Sequence, residues 1–304
     1  MSELFVKTPL VFGREISRRL DKKIFLKLEC LQPSGSFKNR GMGSTCAFYQ
    51  KQGFKGVVSS SGGNAGLATT FAAKRLGLDV KVVLSTKTPQ FMVDKLESEG
   101  AEVIRYGDVW DKANVRAKEF AEELGYGFVS PFDHPETWKG HASLSHELKE
   151  QGEKPDAIIL SVGGGGLMCG VAQGLHEIGW GDVPIIASET EGAASFAASV
   201  KAGKVVTLEN VDTVAVSLGA KRVCDRAFEW TKEHEIHSVT VSDRQALDAC
   251  LAFADDQRLL VEPACGAALA VLYEDLPAVR PYKKVIVVVC GGNLVNRTLL
   301  KAWE

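Results

Sequence analysis

A lysine in the stretch PSGSFKNRG, residues 33–41, has neighbours that a solvated lysine does not need. Phe37 precedes Lys38, small and polar residues surround it, and Arg40 follows two positions later. An amine that reacts as a nucleophile or a base has to be partly desolvated and held in place. Lys38 is therefore a candidate for covalent chemistry, with a structural lysine as the alternative.

Four consecutive glycines, residues 163–166, stand between an apolar stretch and a helix-like segment. Successive amide N–H groups without side chains, placed at a helix N-terminus, suit a phosphate dianion. A tight turn that needs positive φ requires only one or two glycines. The run of four therefore favours anion binding over a purely structural turn.

Two further turns contain glycine and follow apolar stretches. The turn SSSGGNAG, residues 59–66, presents hydroxyl, glycine and amide groups where a helix should begin. Asn64 in this turn is either a ligand contact or the N-cap, the commonest role of asparagine there. The turn VVVCGGN, residues 287–293, places Cys290 at the end of an apolar stretch. A cysteine there is usually a small core residue, and it can also face a ligand crevice.

Nucleotide-binding motifs fit the sequence less well. The spacing GxxxxGK[ST] is absent, and GxGxxG fails because Met168 occupies the place of the third glycine. Glu189 nevertheless ends the following apolar stretch, about where a ribose-binding acid would lie. A nicotinamide-dependent oxidoreductase therefore stays an alternative, although it leaves Lys38 unexplained.

The elements that would position these residues alternate along the chain. Apolar, β-branched runs predict strands at residues 56–60, 80–85, 157–162, 184–188 and 284–289. Helix-like segments cover residues 64–76, 89–99, 108–123 and 167–178. Continuous apolar strands alternating with helices are typical of α/β proteins whose parallel sheets are covered on both faces. Ligands in such sheets bind at the carboxyl ends of the strands, where all three turns are expected.

Composition excludes several classes of protein. The chain has 304 residues, 45% of them hydrophobic and 24% charged, with a formal net charge of −2. The sequence has neither a basic block nor a long apolar run, so it indicates neither a nucleic-acid nor a membrane partner. The beginning of the chain lacks a secretory signal, and the seven cysteines form no CxxC pair, so a cytoplasmic protein with reduced thiols is expected. The six histidines lack metal-binding spacing and are expected in surface or capping roles.

Four motifs occur here in one order: the lysine stretch SGSFKNRG, the turn SGGNAG, the tetraglycine turn and a terminal CGGN. Together they resemble the fold-type II pyridoxal-phosphate enzymes, the tryptophan synthase β family. Within it, the chain is most similar to the L-serine/L-threonine dehydratases of the animal liver type, especially the serine dehydratase-like branch. Further matching stretches are FDHPETWKGHAS (residues 132–143), IGWGDVP (178–184) and LVEPACGAALA (260–270), so the resemblance covers nearly the whole chain.

The resemblance implies a role for each motif. Lys38 would bond covalently to the aldehyde of pyridoxal 5'-phosphate and then remove the Cα proton of the substrate, while Phe37 packs on the pyridine ring. Asn64 would contact the phenolic oxygen, and Cys290 would face the ring nitrogen. The resemblance places the phosphate on Gly163, Gly164, Gly165, Gly166 and the amide of Leu167. Ser61, Gly62 and Asn64 would hold the substrate carboxylate.

The same resemblance implies a monovalent cation, expected to be K⁺, near the tetraglycine turn. Its ligands would be Glu189, Ser195 and the carbonyls of Gly163, Ala193, Leu218 and Ala220. Carbonyl oxygens can coordinate this weakly hydrated ion. The implied fold has two open parallel-sheet α/β domains, residues 1–36 with 140–304 and residues 37–139, with the cofactor in the cleft between them. A homodimer is also implied.

The implied reaction is the elimination of water from L-serine, giving pyruvate and ammonia, and from L-threonine, giving 2-oxobutanoate and ammonia. Other enzymes of the family, namely serine racemase, threonine synthase and cysteine synthase, stay alternatives. A cofactor-binding protein without useful turnover is another, since a fold does not fix an activity. Racemases carry a serine at the position of Gly62, which has no side chain here, so we expect negligible formation of D-serine.

Overall fold

The computed structural model describes residues 4–296, 298 and 299. The strands of this part are β1 Leu10–Phe12, β2 Lys23–Lys27, β3 Gly56–Ser59, β4 Asp79–Leu84, β5 Glu102–Arg105, β6 Gly127–Val129, β7 Ala157–Ser161, β8 Ile185–Thr190, β9 Ile236–Val241 and β10 Lys284–Val288. The α-helices are α1 Arg14–Leu20, α2 Lys38–Lys51, α3 Asn64–Leu76, α4 Gln90–Ser98, α5 Trp110–Leu124, α6 Pro135–Gln151, α7 Gly166–Glu177, α8 Ser195–Ala202, α9 Asp225–Glu233, α10 Asp243–Gln257 and α11 Pro263–Tyr273.

The described chain divides into two compact units. The first consists of residues 4–6 and 32–141, and the second of residues 7–31 and 142 onwards. The sequence-based domain boundaries differ from this division, because residues 4–6, 32–36, 140 and 141 belong to the first unit. The assignment of functional domains to residues 1–36 with 140–304 and to 37–139 stays a prediction.

The first unit is built on a four-stranded sheet of order β5-β4-β3-β6, in which every neighbouring pair is parallel. All four residues of the central strand β3 are buried. Small residues on one face of α5, Ala113, Ala117 and Ala121, pack against Val58 and Val83 of the sheet. Alanine at spacing i, i+4 and i+8 lets the helix approach the strands closely, so this face of the sheet is covered.

The second unit is built on a six-stranded sheet of order β1-β2-β10-β7-β8-β9. Only β1 runs antiparallel to its neighbour; the other described pairs are parallel. Every residue of β7 and β8 is buried. Ser161 and Ser188 donate their hydroxyl hydrogens to the carbonyls of Ala264 and Ala267 in the buried helix α11, each at 2.6 Å. These bonds tie the carboxyl ends of two strands to the helix beside them.

The predicted α/β class with two parallel-sheet domains is confirmed. All five predicted strands and all four predicted helices are present, with ends that differ from the predicted ones by at most two residues. Five strands were not indicated by the apolar pattern. Four of them lie at sheet edges: β5 and β9 are largely half-exposed, and β1 and β6 have three residues each. The fifth, β2, lies inside its sheet, but its apolar residues are flanked by a lysine at each end. The side chains of an edge strand are partly exposed to solvent, so such a strand lacks a continuous apolar run. No helix in the described part of the chain is long and apolar enough to cross a bilayer.

Candidate active site

Lys38 is the first residue of α2 and is half-buried. Its Nζ donates to the carbonyl of Pro131 and lies 5.0 Å from the centre of the Phe37 ring. The amine is thus held between a carbonyl and an aromatic face. Partial desolvation and a fixed position are what a reacting amine needs, and the role of Lys38 as that amine stays a prediction.

His141 is a residue that sequence reasoning missed. Its side chain is fully buried, its ring centre lies 4.9 Å from that of Phe37, and neither ring nitrogen has a hydrogen-bond partner in the described chain. Burial, followed by the positive charges of Lys38 and Arg40, holds its pKa well below the usual value. His141 is therefore a neutral imidazole.

The expectation that all six histidines have surface or capping roles is wrong for His141. It is also wrong for His234, which is 7% exposed. It holds for His134, whose Nδ1 accepts the amide of Glu136 at the start of α6. No local spacing distinguishes these histidines, because their burial depends on elements far away along the chain.

The turn SSSGGNAG leads from β3 into α3, as predicted. The N-cap position is Gly63, so the alternative role of Asn64 as the N-cap is wrong; Asn64 is the first residue of the helix and is buried. A Cβ on Gly66 would lie 1.9 Å from the carbonyl oxygen of Ser61, so this turn folds directly against the helix. The amide of Gly63 donates to the Ser61 hydroxyl at 3.3 Å.

The tetraglycine turn connects β7 to α7 in the second unit. Gly165 is the N-cap of α7, with φ of +90°, and a Cβ there would lie 2.5 Å from that of Ala227. A Cβ on Gly163 would lie 3.1 Å from the Ser217 carbonyl oxygen. Gly165 thus excludes a side chain, and a side chain on Gly163 would require the backbone at Ser217 to shift. Among the described residues, none of the amides from Gly163 to Leu167 has a hydrogen-bond acceptor.

This turn fits a phosphate group. The four glycines carry no side chains, the amide donors are unsatisfied, and they lie at the N-terminus of a twelve-residue helix whose dipole favours negative charge. Behind the turn, the carbonyl of Gly164 accepts the amide of Cys224 at 3.0 Å, and the sulfur atoms of Cys169 and Cys224 lie 3.7 Å apart. These contacts hold the turn against the segment that contains Cys224.

Glu189 lies at the carboxyl end of β8 and is fully buried. Its two carboxylate oxygens accept the amides of Phe196 and Ala197, each at 2.8 Å, in the first turn of α8. Burial raises the pKa of Glu189 to about 7, and these two amides lower it in part. Both oxygens are engaged with the helix, which does not suit a residue that binds a ribose.

Of the other predicted cation ligands, Ser195 begins α8, and its buried hydroxyl has no partner in the described chain. The structure places Gly163 beside Leu218, with 3.2 Å between a Cβ built on the glycine and the leucine Cα. The carbonyl of Leu218 accepts the amide of Ala220 at 2.7 Å, and Ala193 is buried before α8. These contacts bring the predicted ligands together in two groups: Glu189 with Ser195, and Gly163 with Leu218 and Ala220.

Cys290 follows β10 and is 4% exposed. A hydrogen bond with Cys265, and then burial, raise the pKa of its thiol well above the usual value. Cys290 is therefore a neutral thiol, which is only a weak hydrogen-bond donor.

Glu262 is a second residue that the sequence analysis left without a role, although its stretch LVEPACGAALA was singled out. It is buried; its carboxylate accepts the Ser217 hydroxyl at 2.7 Å and the Leu294 amide at 3.2 Å, and its own amide donates to the Gly291 carbonyl at 3.2 Å. Glu262 thus joins the turn after β10 to the segment that packs on Gly163.

Comparison with known proteins supports this arrangement. The model of a family described as pyridoxal-phosphate dependent enzymes matches residues 1–291. A human protein named serine dehydratase-like is 48% identical over 98% of this chain and 94% of its own length. A mouse L-serine dehydratase/L-threonine deaminase is 46% identical over 99% of this chain and 95% of its own. The crystal structure of a fungal L-serine ammonia-lyase from Rhizomucor miehei superposes with a TM-score of 0.92 at 38% identity, covering 99% of this chain and 98% of that one.

Proposed function

Because this chain belongs to the family of pyridoxal-phosphate dependent enzymes, we propose that it eliminates water from L-serine, giving pyruvate and ammonia, and from L-threonine, giving 2-oxobutanoate and ammonia. The tetraglycine turn carries the proposal, because it offers five unsatisfied amides and no side chains to a phosphate group. The names of the human and mouse relatives and of the fungal structure point to the same reaction and substrates.

The residues of the first unit would hold the aldehyde end of the cofactor, where the reaction takes place. Bound pyridoxal phosphate supplies an electron sink that stabilises negative charge at the substrate Cα. Lys38 holds the aldehyde covalently before the substrate arrives, and its freed Nζ then takes the proton from Cα. The neutral ring of His141 packs on Phe37 without adding positive charge beside this amine.

The remaining residues would bind and orient. The amides of Gly163–Leu167 hold the phosphate, and Asn64 with Ser61 and Gly62 holds the phenolic oxygen and the substrate carboxylate. Cys290 faces the ring nitrogen as a neutral thiol, which cannot keep that nitrogen protonated. A thiol at this position would limit the charge that the ring could take up, which would suit an elimination that expels its leaving group promptly.

Three further features complete the proposal. A monovalent cation, K⁺, lies at Glu189 and Ser195, where a buried carboxylate and an unpartnered hydroxyl call for a cation. The enzyme is a homodimer and acts in the cytoplasm.

The decisive experiment is an assay of the purified protein for pyruvate from L-serine and 2-oxobutanoate from L-threonine. Lys38→Ala should abolish both products and the visible absorbance of the lysine-bound cofactor. Lys51→Ala, an exposed lysine at the other end of α2, is the matched control and should retain both. A Lys38→Ala protein that keeps the absorbance and still forms pyruvate would refute the assignment of the reacting amine.

Chiral analysis separates this function from racemisation. Gly62 does not require positive φ, and a Cβ there would lie 3.2 Å from Thr88 Cγ2 and 3.3 Å from Leu84 Cδ2, so a serine side chain fits after a small shift. The parent should form negligible D-serine, and Gly62→Ser should raise D-serine relative to pyruvate while Gly62→Ala does not. D-serine formed by the parent as fast as pyruvate would favour a racemase instead.

A further inference from the structure

A cavity of about 750 Å³ lies in the second unit, away from the turns described above. Its lining includes six cationic residues: Arg14, Arg18, Lys22, Lys23, Lys283 and Lys284. Lys23 and Lys284 are paired in register at the amino ends of the parallel strands β2 and β10. The proposed cofactor residue Cys290 follows the other end of β10, roughly 20 Å away at about 3.3 Å per residue. The cavity is therefore separate from the proposed active site.

Only part of this positive charge is neutralised. Arg18 and Lys284 form ion pairs with Glu15 and Glu153. The hydrogen bond and charge of Lys284, followed by the charge of Lys23, lower the pKa of the Glu153 carboxyl, so Lys23 shares that carboxylate with Lys284. Arg14 and Lys283 have no hydrogen-bonded or ion-paired side-chain partner in the described chain.

Lys22 is hydrogen-bonded by groups that do not neutralise its charge. Its Nζ donates to the carbonyls of Arg280 at 2.8 Å and Tyr282 at 2.7 Å, so it is fixed by neutral acceptors. Four cations thus face one concavity of a protein whose formal net charge is −2. Such a concentration of charge raises the local concentration of anions.

The two carboxylates of the lining do not cancel these cations. Oδ2 of Asp156 accepts the backbone amides of Lys283 at 2.8 Å and Lys284 at 2.7 Å, which fixes it against the strand. Neither Asp156 nor Asp21 forms an ion pair with a lysine or arginine among the described residues. With Glu15 and Glu153 counted, four carboxylates stand against six cations, so the surroundings of the cavity keep a net positive charge of two.

An aromatic side chain completes the lining. Phe12 ends β1 and is 47% exposed, with its ring edge-on to Phe25 at 5.6 Å between ring centres. An exposed ring beside cations offers a stacking surface for a planar heterocycle whose charged tail reaches the lysines. The cavity volume lies within the roughly 300–1,000 Å³ of small-molecule sites.

We propose that this cavity binds a nucleoside polyphosphate, with the phosphates on Arg14, Lys22, Lys23 and Lys283 and the base against Phe12. Inorganic polyphosphate shares the charged part of this chemistry and lacks the base. The two ligands therefore differ in their dependence on Phe12.

Calorimetric titration of the cofactor-loaded protein with ATP tests the proposal, because a filled cofactor site cannot take up the probe's phosphates. We expect saturable binding that the double variant Lys23→Glu/Lys283→Glu weakens at least about tenfold, since each reversal turns an attraction into a repulsion. Lys201→Glu/Lys204→Glu is the matched control: it reverses two exposed lysines of the same unit that do not line the cavity, and it should bind ATP as the parent does.

A second titration uses inorganic triphosphate. Phe12→Ala should weaken ATP binding about three- to tenfold and triphosphate binding less than twofold, because only ATP stacks on the ring. The thermal midpoint of each variant shows whether it is folded. If the charge-reversed double variant is unfolded, Lys23→Gln/Lys283→Gln is used in its place. Three results would each overturn the proposal. The parent shows no saturable binding of ATP, the control variant loses as much ATP affinity as the cavity variant, or the parent binds ATP and triphosphate with equal affinity.

Discussion

Three ionisable side chains that are proposed for function or lie beside such residues have shifted pKa values. Burial lowers the pKa of His141 and raises that of Glu189 to about 7, and a hydrogen bond with Cys265 followed by burial raises that of Cys290. Removing a group from water disfavours its charged form, whichever sign that charge has. His141 and Cys290 are therefore neutral near pH 7, whereas Glu189 is divided between its protonated and ionised forms.

The thiol of Cys290 can be tested by substitution. Cys290→Ala should retain the cofactor and lower turnover, since the proposed hydrogen bond to the ring nitrogen would be lost. Cys290→Asp should change the absorbing species of the bound cofactor, because a carboxylate favours a protonated ring nitrogen. Visible spectra and rates of pyruvate formation measure both effects.

Cys46→Ala is the control for this pair, since Cys46 is an equally buried thiol of the first unit whose pKa is raised to about 12 by burial alone. It should alter stability without altering the spectrum. If both variants of Cys290 match the parent in spectrum and rate, Cys290 only packs in the core.

The raised pKa of Glu189 predicts a pH dependence of stability. Without a bound cation the folded carboxyl stays protonated up to a pH of about 7, whereas the unfolded one ionises near 4.5. The stabilisation that Glu189 provides is therefore fully present below pH 4.5 and is lost as the pH rises to about 7. The loss amounts to roughly 3 kcal/mol from the shift between these values.

A cation bound to the carboxylate should reduce this loss. Denaturant titrations at pH 5 and pH 8, in K⁺ and in a large organic cation, measure the free energy of unfolding. We expect a smaller decrease with pH in K⁺, higher turnover in K⁺, and no difference between the cations in Glu189→Gln. Equal pH dependence in both salts for the parent would contradict the cation site.

At the scale of elements, the helix N-termini differ in what satisfies their amides. The first turn of α8 donates to the carboxylate of Glu189, and α10 begins with a capping box between Ser242 and Gln245. The N-terminus of α7 begins with Gly165 and has no acceptor among the described residues. Orphan helix amides are normally satisfied by caps, water or ligands, so the N-terminus of α7 can bind an anion.

Gly165→Ala should damage this N-terminus. A side chain at φ of +90° costs about 1–2 kcal/mol, and the overlap with Ala227 at 2.5 Å adds a further cost. We expect about 2–4 kcal/mol of lost stability and weaker cofactor binding. Denaturant unfolding and cofactor titration of the depleted protein measure the two effects.

Gly179→Ala provides the comparison, because Gly179 has a φ of +77° and open space around its Cβ position. It should lose about 1–2 kcal/mol and bind the cofactor as the parent does. Equal cofactor affinity in both variants would show that the tetraglycine turn does not hold the phosphate.

At the scale of the whole molecule, cofactor binding should stabilise the fold. A ligand that binds only the folded state adds about 2.7 kcal/mol at a concentration one hundred times its Kd. Removal of pyridoxal phosphate should therefore lower the thermal midpoint, and its return should restore it. Pyridoxal, which lacks the phosphate, should restore much less; an equal recovery would contradict the role of the amides of Gly163–Leu167.

The sequence by itself determined the class of the fold and the places where chemistry is expected. Buried parallel strands need continuous apolar residues, so β3, β4, β7, β8 and β10 were predictable, and glycine runs mark the turns that follow three of them. The order of these motifs also identified the family. This information is local: it depends on neighbours within one strand or one turn.

Only the tertiary structure decided which residues meet. Both carboxylate oxygens of Glu189 accept amides of α8, His141 is buried against Phe37, and Cys265 bonds to the thiol of Cys290. The carbonyl oxygen of Ser217 lies 3.1 Å from the position of a Cβ on Gly163, so a side chain there would force the backbone to shift. Periodicity and propensity describe the chain within one element, whereas burial and pKa depend on partners in other elements, from seven to more than a hundred residues away.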